Sequence, residues 1–213
     1  QAEIKARRDF CARLAESRHV YVVSGEEGLA RVPSQQQPGR EVTLFWTEHA
    51  EAEQWADVLA TKPRIKMLPL TDVLTDVLPK LGELNRLVGT NWNDVPVEAE
   101  VAPLDLVGYI RGAMVDHFVQ KTLETKCVWM LQGIDGPACQ MSQKTKGALV
   151  LPVWADRAAA EARVEGPWAE RLAPPAQVRN LAAALARMQK AHFPQALIRE
   201  WQLEAVAELD EVL

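Results

Sequence analysis

Residues 20–30 read Val-Tyr-Val-Val-Ser-Gly-Glu-Glu-Gly-Leu-Ala, and residues 128–138 read Val-Trp-Met-Leu-Gln-Gly-Ile-Asp-Gly-Pro-Ala. In each, a run of β-formers meets a turn with glycines on both sides and an acid between. That pattern predicts a hairpin. Its recurrence decides the fold. Residues 10–53, moved by 108 positions, fall on residues 118–161 without a gap and give 14 identities in 44 positions. Random pairing gives about three. The identities include Phe10/Phe118, Gly25/Gly133, Gly28/Gly136, Ser34/Ser142, Gly39/Gly147, Trp46/Trp154 and Glu53/Glu161. Further on the register drifts, as loops that accept insertions allow. The chain is therefore read as two copies of one unit, 1–106 and 107–213. It is not a solenoid, which repeats at shorter periods and stacks more copies.

Working outward from the hairpin, Ala6, Phe10 and Leu14 make an apolar stripe at helical spacing over about 3–17. Ile110, Met114 and Phe118 repeat it over about 109–125. Residues 34–40 are polar and form a loop. Val42 to Trp46 is a strand, matched by Val150 to Trp154. Thr47 is expected to cap a helix whose face carries Ala52, Trp55, Ala56 and Leu59, with Asp156 as the cap in copy two. Ile65 to Leu68 is a short strand. Thr71 is expected to cap a helix with core residues Leu74, Val77, Leu78 and Leu81, kinked or restarted at Pro79. Leu87 to Trp92 is a strand, and Val97 to Val101 is a candidate for one more. Copy two is broken after residue 162 by Gly166-Pro167 and Pro174-Pro175. The order predicts an α+β fold, each unit a small, mostly antiparallel sheet covered by helices.

Composition narrows the function. The 213 residues include 24 Lys and Arg against 29 Asp and Glu, a net charge of −5, and are 48% hydrophobic. That is ordinary for a globular chain. No apolar run approaches the ~20 residues of a membrane-spanning helix. The charged N-terminal stretch lacks a signal-peptide core. Cys11, Cys127 and Cys139 make no disulfide framework, which fits a reducing, cytoplasmic compartment. Residues 1–106 carry all of the excess charge, 12 basic against 17 acidic; residues 107–213 balance. An acidic half favours a basic partner and disfavours nucleic acid and anionic membranes.

The units resemble a bacterial family of domains of unknown function, number 2750. The resemblance rests on the opening helix, on Val20-Tyr21 and Val128-Trp129, and on the glycine turns at Gly28 and Gly136. It rests also on the strand-ending Trp46 and Trp154, and on the Val-Gly-x-Asn-Trp strand of Val88, Gly89, Asn91 and Trp92. Copy one has Tyr21 where the family usually has Trp. Copy two reads Leu197-Ile198-Arg199-Glu200-Trp201 at the last motif. The resemblance covers most of 5–106 and about 110–162. It implies a fold unit and a bacterial origin, and no reaction.

Signatures of chemistry are sparse. His49 and Glu53 stand i, i+4, but a metalloprotease helix needs a second His, and position 157 is Arg. Surface pairing is the better reading. Cys127 and Cys139 lack the second close pair of a zinc site. Cys11 reads as a small core residue. There is no nucleophile elbow and no phosphate loop. Hence no catalytic residue, metal or cofactor is assigned. Trp46/Trp154 and Trp92/Trp201 recur and suit a core; Trp55 and Trp168 are unpaired and suit exposed anchors. Asn91 to Asp94 sets polar residues round an aromatic, as an interface anchor has.

The leading expectation is a non-catalytic binding protein of immunity or antitoxin type, acting on a basic partner protein. Its partner-binding residues are Glu48, Glu51, Trp92, Asn93, Asp94 and Glu98. The alternative is a sensor of small molecules with a pocket between the repeats. An unrecognised enzyme would have to draw on His19, His49, His117 or His192.

Overall fold

The computed structural model describes residues 2–93, 99–125, 128–133, 136–142, 145–164 and 177–180. The chain divides into two compact units, Gln1–His117 and Phe118–Leu213. The division lies further along the chain than the 106/107 boundary read from the repeat.

Unit one begins with α1 (Ala2–Ser17), whose Phe10, Cys11, Leu14 and Ala15 are buried. Ala6, expected on this stripe, is exposed. The strand β1 (His19–Gly25) turns back into β2 (Gly28–Leu29), with Gly25 opposite Gly28. Gly28 has φ 102°, which a side chain at this position would strain. The turn is thus the expected hairpin. Next come β3 (Arg31–Pro33), β4 (Glu41–Phe45), α2 (His49–Leu59) and β5 (Arg64–Pro69).

A helical stretch follows in three parts: α3 (Leu70–Asp72), a π-turn (Val73–Val77) and α4 (Leu78–Glu83). The Leu78 N–H reaches five residues back to the Val73 carbonyl. The wider turn comes just before Pro79, which has no N–H to give and whose ring crowds the carbonyl four residues back. The α-helix thus restarts at Leu78, with Pro79 in the first turn of α4, as expected. The π-turn also moves the buried face. Val73, Leu74, Leu78 and Leu81 are buried, whereas Val77, expected among them, is half-buried. Thr71 lies inside the first turn and is not its cap.

The first unit closes with β6 (Leu87–Thr90), β7 (Glu100–Val101) and the start of α5 (Pro103–Thr125). Two sheets result, β2-β1-β5 and β3-β4-β6-β7, joined by a bridge between Tyr21 and Trp46. All pairings are antiparallel except β4 with β6, which is parallel.

Unit two repeats the plan on fewer described residues. The strand β8 (Trp129–Gly133) pairs with β9 (Gly136–Pro137), β12 (Val153–Trp154) and β13 (Gln177–Asn180). Trp154 opposite Trp129 reproduces Trp46 opposite Tyr21. β10 (Gln140–Met141) and β11 (Leu149–Val150) form a separate ribbon, and α6 (Arg157–Val164) stands where α2 does. The loops share their turn-closing hydrogen bonds. The Ser34 N–H donates to Arg40 O at 2.9 Å, as the Ser142 N–H does to Ala148 O at 2.9 Å. The Ser34 hydroxyl oxygen accepts the Gln37 N–H at 2.8 Å, as that of Ser142 accepts the Thr145 N–H at 2.9 Å. Gly39 and Gly147 close these loops at φ 85° and 83°. Two copies of one unit, α+β in class, is the architecture.

Candidate functional site

β4 and β6 run parallel, so their carboxyl ends lie side by side. In sheets with parallel strands that edge is where ligands gather. Here β4 continues through Trp46 and Thr47 into α2, and β6 through Asn91 into Trp92. The two exits are tied together. The Asn91 N–H donates to Phe45 O at 2.8 Å. The Thr47 N–H donates to Asn91 Oδ1 at 2.9 Å, and Asn91 Nδ2 donates to Thr47 Oγ1 at 3.0 Å. Asn91 holds φ 48°, a left-handed conformation that asparagine tolerates better than most residues.

Thr47 therefore does not cap α2. The residue before the helix is Glu48, whose side chain makes no capping hydrogen bond. In unit two the expected cap holds: Asp156 Oδ1 accepts the Ala158 N–H at 2.7 Å.

Behind this edge three indoles meet. The carbonyl of Trp92 accepts the ring N–H of Trp46 at 3.1 Å and that of Trp55 at 3.0 Å. Trp92's own ring N–H donates to Ala99 O at 2.9 Å. Every indole donor is satisfied, which is what allows the rings to be buried. Trp46 is fully buried and Trp92 is 3% exposed. Trp92 is thus a core residue, and its assignment as a partner-binding anchor is corrected. Trp55, expected as an exposed anchor, is half-buried and tied to the same carbonyl. Gly89 belongs to this cluster. A β-carbon there would meet Leu44 Cδ2 and Trp92 Nε1, each at 2.5 Å. The Val-Gly-x-Asn-Trp motif is a packing device.

Of the other expected residues, Glu48 precedes α2 and Glu51 lies in its first turn, close enough to interact, while Asn93 follows Trp92 beyond the end of β6. Glu48 and Asn93 are exposed and Glu51 is half-buried. Asp94 and Glu98 lie outside the described residues, as do Trp168 and Trp201. Glu51 is in the first turn of α2. One of its oxygens stands 3.9 Å from Arg13 Nη1 of α1; the other is buried with no hydrogen-bond partner. Burial is the main influence on this carboxyl and raises its pKa; Arg13 partly opposes that, and the nearby Glu48 adds to it.

A second constellation appears in both units. The His49 ring meets the Tyr21 ring edge-on at 5.4 Å, and its Nδ1 is 3.7 Å from Glu53 Oε1. At the matching place Arg157 lies 5.4 Å above the Trp129 ring and its Nε bonds Glu161 Oε1 at 2.6 Å. An aromatic from the first strand, a basic residue opening the helix and an acid one turn on thus recur. The identity Glu53/Glu161 was visible in the sequence. The joint placement of the three was not, because His and Arg do not look alike.

The remaining candidates for chemistry are dispersed. Among the described residues no three His, Cys, Asp or Glu gather as metal ligands. Cys11 is buried, and burial pushes its thiol up to about 11, with Arg7 opposing in part. Cys139 is half-buried, its pKa also raised by burial. Cys127 and His192 lie outside the described residues. No described helix is long and apolar enough to cross a membrane.

The family model described as protein of unknown function (DUF2750) matches the chain twice, over residues 8–109 and 115–193. The chain belongs to this family, as a tandem duplication of its domain. No curated protein matches it. Solved structures that resemble it include a Tic22 from Anabaena, described under protein transport. That chain is 12% identical at a TM-score of 0.27, over 85% of this chain and 86% of its own. Tic22 from Plasmodium falciparum is 8% identical at 0.26, over 79% and 81%. At such TM-scores the likeness carries no argument.

Proposed function

We propose that this chain is a non-catalytic binding protein, of immunity or antitoxin type, that engages a basic partner protein at the carboxyl edge of the β4–β6 pair. The supporting observation is Glu51. Acids in the first turn of a helix are favoured by its dipole, and that alone would account for Glu48 and Glu51. It does not account for a carboxylate oxygen buried without a hydrogen-bond partner, which is costly. A cation brought by a partner beside the exposed Glu48 would offset the repulsion between Glu48 and Glu51 and favour the ionised form of Glu51. The charge excess of residues 1–106 would steer such a partner towards this unit. Trp92 has no direct part in this reading; it holds the edge from beneath. Asp94 and Glu98 extend the acidic set along the sequence.

The test is affinity capture from lysate of the source cell with the tagged chain, at low and at high salt, read by mass spectrometry. One stoichiometric basic protein retained at low salt and lost at high salt is the expected result. A blank at both salts, or an acidic partner, would count against the reading.

A further inference from the structure

The edge of the β2-β1-β5 sheet carries a second, independent surface. Among the described residues β5 pairs with β1 alone. Its free backbone groups can be identified from those of β1. Tyr21 exchanges hydrogen bonds with Trp46 in both directions, at 2.7 and 2.9 Å, and Val23 O accepts the Ala30 N–H at 2.8 Å. The odd-numbered residues of β1 therefore bond away from β5. The even-numbered ones bond towards it, as Arg18 O does in accepting the Leu70 N–H at 2.8 Å. Through the register Val20↔Leu68, Val22↔Lys66 and Ser24↔Arg64, the backbone groups of Arg64, Lys66 and Leu68 face β1. Those of Ile65 and Met67 face outward.

The prolines fall on the same parity. Pro63 and Pro69 occupy outward positions on either side and have no N–H to offer. Proline on an edge limits indiscriminate strand addition. Here the two prolines leave a short window between them, with two N–H donors. The side chains beside that window differ by face. Ile65 packs against the cluster of Val23, Trp46 and Ala56, and Met67 is 57% exposed next to it on the same face. Arg64 and Lys66 stand exposed on the other face.

We propose that this window accepts a short extended segment of a partner whose residues alternate apolar and acidic, added to β5 as a further strand. Backbone pairing with Ile65 and Met67 supplies the hydrogen bonds. The apolar residues of the guest lie beside Ile65 and Met67, and its carboxylates lie beside Arg64 and Lys66. A basic guest is repelled by the same pair. This surface differs in charge and place from the acidic edge and stands whether or not that edge binds anything.

The experiment titrates the full chain, labelled for amide NMR, with N-acetylated, C-amidated Val-Glu-Val-Glu-Val and, as control, its Val-Lys counterpart. The expected result is binding of the acidic peptide only, with the Ile65 and Met67 amides shifted and protected from exchange. Affinity should fall at least tenfold from low salt to about 0.5 M. The double variant Arg64→Glu, Lys66→Glu should lose the acidic peptide. Met67→Pro should lose it too, because it deletes an outward donor that has no strand partner in the fold. Unchanged Ile65 and Met67 amides, equal binding of the lysine peptide, or full binding by the charge-reversed variant would each overturn the proposal. The charge-reversed variant keeps the test decisive if the proline variant does not fold.

Discussion

At Gly89 a methyl group has nowhere to go, since its two nearest neighbours at 2.5 Å belong to packed side chains on either side. Gly89→Ala is expected to cost about 1–3 kcal/mol by overpacking. Trp92→Ala, which empties the same cluster, is expected to cost about 3–5 kcal/mol. Urea denaturation measures both, and a surface anchor would show almost no loss at Trp92. The sequence displayed this motif plainly as a recurring tryptophan. It did not display that Asn91, in its polar setting, turns its side chain inward to Thr47. That is why Trp92 resembled an interface anchor. Glu51 is a second case at this scale. Its pKa is raised on folding, so the native state disfavours its ionised form, and stability is lost as pH rises through the raised value. Glu51→Gln is accordingly expected to raise the denaturation midpoint at pH 7. The gain should vanish below about pH 4, where the unfolded carboxyl is protonated as well. A gain that persists unchanged at low pH would contradict the desolvation account.

At the scale of elements the two copies serve as controls for one another. Arg157 sets a guanidinium over Trp129, while His49 meets Tyr21 edge-on with its ring. Exchanging His49→Arg should reproduce in α2 the contacts seen in α6. The expected gain is about 0.3–1 kcal/mol in thermal or urea unfolding, since an i, i+4 ion pair and a cation–aromatic contact are each of that order at a surface. No gain would mean that the two sites are not equivalent. Helices and the hairpin were legible from periodicity and glycines because those signals are local. The parallel pairing of β4 with β6 was not, since the long crossover between them leaves no mark of direction in either strand. Nor was the π-turn: the spacing of Leu74, Val77 and Leu78 assumed a regular helix, and Pro79 was met by widening the turn before it. Thr47 failed as a cap for a related reason. Its side chain already has a partner 44 residues away, and a long-range bond outweighed a local preference.

For the whole molecule, the duplication was the strongest sequence signal, and the matching loops at Ser34 and Ser142 give it an atomic basis. The copies have since diverged in charge, with the excess of acid confined to residues 1–106. That asymmetry is the reason for placing the partner surface on the first unit. The acidic edge was legible only in part, because charge along a chain does not tell which residues a fold gathers. Glu48 and Glu51 follow β4 and Asn93 follows β6, so the chain exits of two parallel strands carry them. The most direct measurement is the affinity of the captured partner for the intact chain and for its variant Glu48→Lys, Glu51→Lys, Asp94→Lys, Glu98→Lys, followed by calorimetry across a salt series. The variant is expected to bind at least tenfold more weakly at low salt and with a flattened salt dependence. Equal affinity and an equal salt slope in the two proteins would contradict it.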